Sequence, residues 1–366
     1  MRDTLIFSIP TNWTDTLLAE MSALPVDEIY GALPSTPVGS GRAAGILPDV
    51  DRPHARSHIR AARESGFDFN YLLNGACLGN RECLPGFRAA LFDHVSWAVD
   101  CGVTSVTVAN LFVLEFVKHH FPALRVRTSI FFMPGNLPTL KRLVDSGADA
   151  ITLTQADNRD FRYLEQVRKS VDADIWLLAN VACAYDCPAL VYHANSAGHD
   201  SQADLETPCG PNTYPILSCT RNKLSSGMGL LRARWIRPED LSVYESFGFN
   251  RFKLAGRDAD TGWMATAAAA YANRRYEGNL TDILDGFHYL AAWRRRAGNI
   301  PFRMPYVDNR KLGGFIDHFV GGRCTDSCDR CGYCETRAAD AVTLHRAENQ
   351  AFLAVVEAYA ETKRMV

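Results

Sequence analysis

Eight of the eleven cysteines fall into two groups of four, and this clustering points to metal chemistry. The C-terminal group, spaced C-x3-C-x2-C-x2-C in the run GGRCTDSCDRCGYCE, comprises Cys324, Cys328, Cys331 and Cys334. Short turns between successive thiolates let them bind one compact centre, which favours a [4Fe-4S] cluster. The alternative is structural zinc, whose sites usually join two C-x2-C pairs across a longer gap.

The first three cysteines of this group also match C-x3-C-x2-C, the pattern of radical S-adenosylmethionine enzymes. In those enzymes three thiolates leave one iron open for the methionyl group. The motif normally follows the first strand of a barrel, whereas here it is C-terminal and Cys334 is available for the fourth iron. S-adenosylmethionine is therefore an alternative cofactor beside the two [4Fe-4S] clusters that the two cysteine groups predict.

The second group of cysteines comprises Cys183, Cys187, Cys209 and Cys219. It opens a segment rich in Pro, Asn, Ser and Gly, and Pro188 follows Cys187, as is common in cluster-binding loops. We expect these thiols to be metal ligands, with His193 and Cys77 as alternative members of the set. Ordinary buried thiols are the competing explanation, because free cysteine packs as a small hydrophobe.

A glycine-rich loop, VGSGRAAG, follows the second predicted strand. Backbone N–H groups of such a loop, together with an arginine, suit a phosphate or a carboxylate. We therefore predict that Gly39, Gly41 and Arg42 bind substrate. Polar side chains near the ends of other predicted strands add substrate-binding Asn180 and the catalytic candidates Asn74, Glu82, Lys253 and Arg257.

The elements that must position these residues alternate between apolar β-branched runs and amphipathic stretches. Several helix-like segments end in Gly just before the next strand, as in ESGFDF and DSGADAI, which is typical of helix C-caps. Eight such units in about 260 residues predict a (β/α)8 TIM-like barrel, and a doubly wound open sheet is the alternative. The predicted strands are Thr4–Pro10, Val26–Leu33, Phe67–Asn74, Val103–Asn110, Arg125–Phe132, Ala148–Gln155, Asp174–Cys183 and Phe249–Arg257.

Two domains are predicted: the barrel over residues 1–278 and a helical, cysteine-rich extension over residues 279–366. The barrel carries an irregular insertion at residues 183–230, at the end of a strand where barrel enzymes build their active sites. In the extension we predict helices over Leu280–Arg296 and Ala338–Lys363, on either side of the cysteine loop.

Composition describes an ordinary globular protein, with 47% hydrophobic and 22% charged residues and a formal net charge of −2. This balance makes nucleic acid an unfavoured partner, and no apolar run is long enough to span a bilayer. We expect a cytoplasmic location, where this many cysteines indicate metal or redox chemistry rather than disulfides. The sequence has no H-E-x-x-H and no G-x-S-x-G, which argues against peptidase chemistry.

The barrel pattern, the segments EIYGALPSTPVGSGR and ESFGFNRFKLAGR, and the four cysteines after the late strands together resemble the peptidase U32 family. The resemblance covers residues 1–275, and the family's Gly-x-Cys-x-hydrophobic-Ser stretch is absent. It implies [4Fe-4S] proteins that add hydroxyl groups to RNA bases or a quinone precursor without O2. It also implies that Arg257 is the family's late-strand arginine and that the core cluster ligands are Cys183, Cys187, Cys209 and Cys219.

The resulting hypothesis is an iron–sulfur oxidoreductase that modifies a small molecule or a peptide without O2, by hydroxylation or by reductive chemistry. The C-terminal cysteines suggest a second cluster that takes electrons from a ferredoxin or a flavodoxin. The alternative outside catalysis is an electron-transfer or scaffold subunit that works with a second U32-like subunit.

Overall fold

The computed structural model describes residues 5–185, 187–203, 214–287, 302–325 and 327–364. Eight parallel strands close into a barrel in chain order, and the eighth strand pairs with the first. This confirms the predicted (β/α)8 barrel. The strands are β1 (Ile6–Pro10), β2 (Glu28–Gly31), β3 (Asp68–Leu73), β4 (Ser105–Val108), β5 (Arg125–Thr128), β6 (Ala150–Thr152), β7 (Asp174–Leu178) and β8 (Arg251–Lys253).

Helices follow the strands and cover the outside of the barrel. Through the first six units they are α1 (Asp15–Ser22), α2 (Arg52–Glu64), α3 (Phe87–Cys101), α4 (Leu111–His120), α5 (Leu137–Asp145) and α6 (Phe161–Ser170). Between β7 and β8 lie α7 (Leu190–Asp200), α8 (Tyr214–Ser225), α9 (Gly227–Arg232) and α10 (Leu241–Ser246), and after β8 comes α11 (Thr261–Ala272). The tail holds β9 (Tyr306–Val307), α12 (Asp317–Val320), α13 (Cys328–Cys331), α14 (Tyr333–Ala341), β10 (Val342–Thr343) and α15 (Arg346–Arg364).

The core lies between the outer face of the barrel and the helices. Strand side chains alternate in direction, so every second residue joins this core, as Phe7, Phe69, Val106 and Phe252 do. The residues between them point into the barrel. The sequence of each strand therefore determines two surfaces. The outer surface is apolar and packs against the helices, and the inner surface lines the interior of the barrel.

The inner surface is polar in the middle of the barrel. Arg127 on β5 donates two hydrogen bonds to the carboxylate of Glu28 on β2, at 2.9 and 2.7 Å, and both side chains are buried. The Arg127 guanidinium also lies 3.8 Å from the centre of the Trp176 ring. Asn70 continues this layer, because it donates to Ser105 at 2.7 Å and accepts from Thr107 at 2.6 Å. The paired charges compensate each other where water is excluded.

Two sequence predictions about the late chain are wrong in detail. In its described residues, 183–185, 187–203 and 214–230, the insertion is largely helical, with α7, α8 and α9 where an irregular segment was predicted. The helix predicted over Ala338–Lys363 is two helices, α14 and α15, separated by β10. The break arises because Val342 and Thr343 pair antiparallel with β9, a contact between distant parts of the chain.

The other predicted tail helix, Leu280–Arg296, begins as a single 3-10 turn over Leu280–Asp282. Its residues from 288 onward lie outside the described part of the chain. Within the described ranges, no helix is both long enough and apolar enough to cross a membrane.

The buried Arg127–Glu28 pair gives a first prediction. Replacing Arg127 with Met leaves the Glu28 carboxylate buried without its cation, so we expect the free energy of unfolding to fall by roughly 3–5 kcal/mol. Urea denaturation measures it. The control is Arg125→Met on the same strand, whose ion pair with Asp174 is partly exposed and worth at most about 1 kcal/mol. Equal losses in the two variants would contradict the role given to the buried pair.

Candidate active site and cysteine pockets

A cavity of about 190 Å³ opens at the C-terminal end of the barrel strands. Its walls are mainly apolar, and a smaller number of polar side chains enter it from several strands and from the insertion. The apolar part is lined by Tyr30, Leu72, Ile130, Phe131, Leu178, Val181 and Ile216. A cavity of this kind, at this end of a barrel, is where barrel enzymes hold their substrates.

Strand β8 and the turn after it place two cations in the cavity. Lys253 at the end of β8 and the consecutive residues Ala255, Gly256, Arg257 and Asp258 after it all line the cavity. Gly256 has φ +129°, and a Cβ at this position would approach the Trp263 ring to 2.4 Å. Glycine is therefore needed for the turn that aims Arg257 inward.

The Lys253 amine lies deeper in the barrel than Arg257, 3.7 Å from the centre of the Tyr30 ring. Burial, followed by the charge of Arg127, holds the pKa of this amine well below its usual value. The phenol of Tyr30 is turned away, since it donates a hydrogen bond to the carbonyl of Leu254 at 2.7 Å. Lys253 thus faces the cavity as an amine with an increased neutral fraction.

The predicted glycine-rich loop lies at the rim of the cavity. Its arginine, Arg42, forms ion pairs with two carboxylates there. Arg42 donates to Asp285 at 2.6 Å and lies 3.8 Å from Asp258. Gly41 packs against Phe131, where a Cβ would come within 2.4 Å of the ring, and its N–H donates to Asn74 at 3.1 Å. The loop is therefore fixed by its own polar contacts.

Three cysteines of the second group line the same cavity: Cys183 after β7, Cys187 before α7, and Cys219 on α8. Cys209, the fourth, lies outside the described residues. Burial raises the pKa of the Cys183 thiol to about 11, and burial lowers the pKa of the neighbouring His193, which also lines the cavity, to about 4. Of the predicted ligand set, the described residues thus bring three thiols and one neutral imidazole to one cavity.

The sulfur atoms of the described cysteines at this cavity are not arranged for a single ion. In the part of the chain that the structure describes, no three His, Cys, Asp or Glu side chains converge closely enough to hold one metal ion. A cubane cluster has a different requirement, because each thiolate binds a different iron atom and the sulfur ligands stay apart.

The C-terminal cysteines form a second, smaller pocket. Cys324, Cys328, Cys331 and Cys334 all line it, together with His318, Phe319 and Tyr333. His318 stacks on the Tyr333 ring with 3.9 Å between ring centres, and its Nε2 lies 3.4 Å from the Cys331 sulfur. The four thiols that the spacing predicts as one site are therefore brought to one site.

Arg159 joins this pocket to the barrel. Its guanidinium is buried and donates to the carbonyls of Leu231 and Trp235, at 2.6 and 3.0 Å. It also lies 4.4 Å from the Trp235 ring and 5.1 Å from the ring of Phe319, which borders the cysteines. Burial lowers the pKa of Arg159 to about 10. Nothing in the local sequence marks this residue, because its partners lie more than seventy positions away.

The remaining predicted site residues occupy other positions. Asn74 lines the cavity and supports the rim loop. Asn180 is fully buried and uses its side chain on backbone groups, donating to Ala255 and Ile283 and accepting from Ala255. Glu82 and Cys77 lie in the segment after β3 and are not among the described residues that line the cavity. Asp285 and Lys223, which do line it, were not predicted.

Comparisons with known proteins agree with the barrel. No protein-family model matches the chain. The chain is 26% identical over 317 residues to the uncharacterized protease MJ1657 of Methanocaldococcus jannaschii, covering 87% of this chain and 89% of that protein. It superposes on the U32 peptidase Mk0906 with a TM-score of 0.55 and 18% identity, over 70% of this chain and 94% of the other.

The structural likeness establishes a shared (β/α)8 fold. Together with the sequence match, it supports a relationship between this chain and the peptidase U32 family, as the resemblance of the sequence predicts.

The contacts of Arg159 give a second prediction. Arg159→Met removes the donor from two buried carbonyls, so we expect it to lower the free energy of unfolding by roughly 2–4 kcal/mol. The matched control is Lys169→Met on the adjacent helix α6, whose exposed pair with Glu165 is worth no more than about 0.5 kcal/mol. Anaerobic urea denaturation compares the two. A loss at Arg159 no larger than at Lys169 would contradict its anchoring role.

Proposed function

We propose that the chain is an iron–sulfur enzyme that modifies a small molecule or a peptide in the barrel cavity without O2. One observation carries the proposal: Cys183, Cys187 and Cys219 line the same cavity as Lys253 and Arg257. Because the reacting groups of barrel enzymes lie at this end of the strands, a metal centre held here would border the substrate.

The residues at the mouth fit a [4Fe-4S] cluster. Cys183, Cys187 and Cys219 would supply three thiolates, and Cys209 or His193 is the proposed fourth ligand. The positive charges of Lys223 and Arg42 lower the pKa of Cys183, and both therefore favour its thiolate form. When bound, such a cluster supplies single-electron transfer or a Lewis-acidic iron.

The chain's own side chains would handle protons and orientation. Lys253 offers Nζ as a proton carrier, because burial lowers the pKa of this amine and increases its neutral fraction. Apolar walls around it keep bulk water away from the reacting atoms. Hydroxylation and reductive chemistry both need such a proton carrier, so Lys253 does not distinguish between them.

The C-terminal pocket is proposed to hold a second [4Fe-4S] cluster. All four of its thiols border one pocket, which favours four-thiolate ligation over the three-thiolate site of S-adenosylmethionine enzymes. The short, unbroken spacing of the four cysteines favours a cluster over a zinc site, which usually joins two C-x2-C pairs across a longer gap. We propose that this cluster accepts electrons from a ferredoxin or a flavodoxin, with or without a second U32-like subunit.

Iron and acid-labile sulfide analysis of anaerobically purified protein tests the proposal. We expect about eight irons and eight sulfides per chain, as two [4Fe-4S] clusters require. Cys187→Ala and Cys328→Ala should each retain about half of this iron. Cys83→Ala, which removes an exposed thiol outside both groups, is the control and should retain all of it.

Two results would contradict this account. Zinc in place of iron in the wild-type protein would indicate that both cysteine groups form structural metal sites. Loss of all iron in either single variant would show that the two cysteine groups form one site rather than two.

The two relatives are named as a protease and a peptidase, which suggests proteolysis as a second candidate function. A peptidase assay with unstructured protein substrates, run in parallel on wild type and Lys253→Met, addresses it. Cleavage that survives anaerobic removal of iron would favour the peptidase. We expect no cleavage above that of a buffer control.

A further inference from the structure

A histidine lies against the C-terminal cysteines and has no task in the proposed function. The Nε2 atom of His318, on the one-turn helix α12, lies 3.4 Å from the Sγ atom of Cys331. Sulfur is a large acceptor, so this is a hydrogen-bond distance. The same imidazole lines the pocket together with all four cysteines. The fold therefore brings a nitrogen donor to one of the proposed cluster ligands.

Aromatic contacts fix the orientation of this imidazole. The ring of His318 lies parallel to that of Tyr333, with 6° between the planes and 3.9 Å between the ring centres. Tyr333 in turn stacks on Phe315, and Phe319 meets the imidazole at 83° with 5.5 Å between the centres. Tyr333 belongs to the cysteine run itself, so the stack joins α12 to the thiols. Packing of this kind restricts the rotation of the ring that presents Nε2.

Helix α12 is also anchored from the barrel side. Phe315 and Phe319, which lie before and after His318 in the chain, are both buried. The guanidinium of Arg159 lies 4.8 and 5.1 Å from the centres of their rings. The backbone that carries His318 is thus held in place before any metal is bound, which reduces the entropy lost in making the contact.

The chemistry of a metal-bound thiolate sets the direction of the hydrogen bond. Such a sulfur carries no proton and can only accept, so the proton must lie on Nε2 of His318. An N–H group that donates to a ligating sulfur stabilises the form of the cluster with more negative charge, which is the reduced form. Hydrogen bonds to sulfur therefore raise the reduction potential of an iron–sulfur cluster.

We propose that His318 donates a hydrogen bond to the Cys331 thiolate and thereby raises the reduction potential of the C-terminal centre. His318 is a positioning residue rather than a ligand, because the four thiolates complete the ligand set of a [4Fe-4S] cluster. Reduction adds one electron, supplied by the redox partner, and the proton stays on His318. The inference rests on the proposed function, since it requires iron in this pocket.

A redox titration followed by EPR, on anaerobically purified full-length protein, tests the proposal. Dithionite supplies the electrons, and a Cys187→Ala sample, whose mouth group lacks a ligand, assigns the signal of the C-terminal cluster. His318→Phe keeps an aromatic ring for the stack and removes the N–H. We expect its equilibrium constant for one-electron reduction to be at least tenfold smaller, a fall of about 59 mV in midpoint potential.

Two further variants separate the hydrogen bond from packing and from the substitution itself. His318→Gln places an amide N–H near the position of Nε2 without the stacked ring, so we expect it to recover most of the lost potential. His119→Phe makes the same change at an exposed histidine of α4, outside both pockets, and should titrate like wild type.

A spectroscopic measurement on the wild-type protein does not depend on how well any variant folds. Pulsed EPR of the reduced protein, prepared with isotopically labelled histidine nitrogen, detects a nitrogen close to the cluster. We expect a weak nitrogen coupling, as a contact through N–H and sulfur gives. A strong coupling would make His318 an iron ligand, and no coupling would place it away from the cluster, so either result would overturn the proposal.

Iron analysis of the same samples distinguishes this inference from the proposed function. Zinc, or no iron, in the C-terminal pocket of wild type would contradict the proposed function and this inference with it. Iron in that pocket, with a His318→Phe potential equal to or above that of wild type, would contradict the hydrogen-bond inference alone. A His318→Gln potential as low as that of His318→Phe would assign the effect to the stacked ring and also contradict it.

Discussion

In a closed parallel barrel every second strand residue faces the interior, and the site of this protein depends on which residues those are. Ser8, Glu28, Arg127 and Lys253 face inward where most of the outward residues are apolar. Charges in such a place are stable only when they are paired, and Glu28 and Arg127 pair with each other. Lys253 and Arg257, on the inner side of β8 and its turn, have no such partner among the described residues. Among the described residues, the charges of Glu28 and Arg127 are therefore paired, whereas those of Lys253 and Arg257 are not.

The two cysteine groups lie in different surroundings. The mouth receives Cys183, Cys187 and Cys219 from the insertion, alongside cations and an open cavity. The C-terminal thiols line a small pocket together with His318, Phe319, Tyr333 and Met228 of α9, and α9 packs against α14. A centre at the mouth can meet a substrate, whereas a centre in the aromatic pocket suits electron transfer. We therefore propose substrate chemistry for the cysteines at the mouth and electron transfer for the C-terminal cysteines.

The local sequence was sufficient to predict the eight-stranded barrel. The eight strands lie in apolar runs rich in β-branched residues, several of them preceded by a Gly that ends a helix, and the structure shortens the predicted ends by at most five residues. The spacing of Cys324, Cys328, Cys331 and Cys334 predicts one metal centre, and the structure places all four thiols around one pocket. The strand pattern and the cysteine spacing are both local signals, because each lies within a single element or turn of the sequence.

Contacts between distant residues were not predictable in this way. The partner of Arg42 is Asp285, 243 positions later, so its glycine-rich setting suggested a ligand where the structure has an ion pair. Asn180 ends a strand, as a substrate-binding residue would, yet its amide is used on the backbone of Ala255 and Ile283. Helix α8 was hidden because Pro, Ser, Cys and Asn interrupt its apolar pattern, and β10 because only pairing with β9 makes it a strand.

The most direct test of the central claim is anomalous X-ray diffraction at the iron edge from crystals of anaerobically prepared protein. The account predicts two separate iron sites. One lies at the barrel mouth bordered by Cys183, Cys187 and Cys219, and the other lies in the pocket of the four C-terminal cysteines. Iron in the C-terminal pocket alone, or a zinc-edge signal in place of iron at either site, would contradict it.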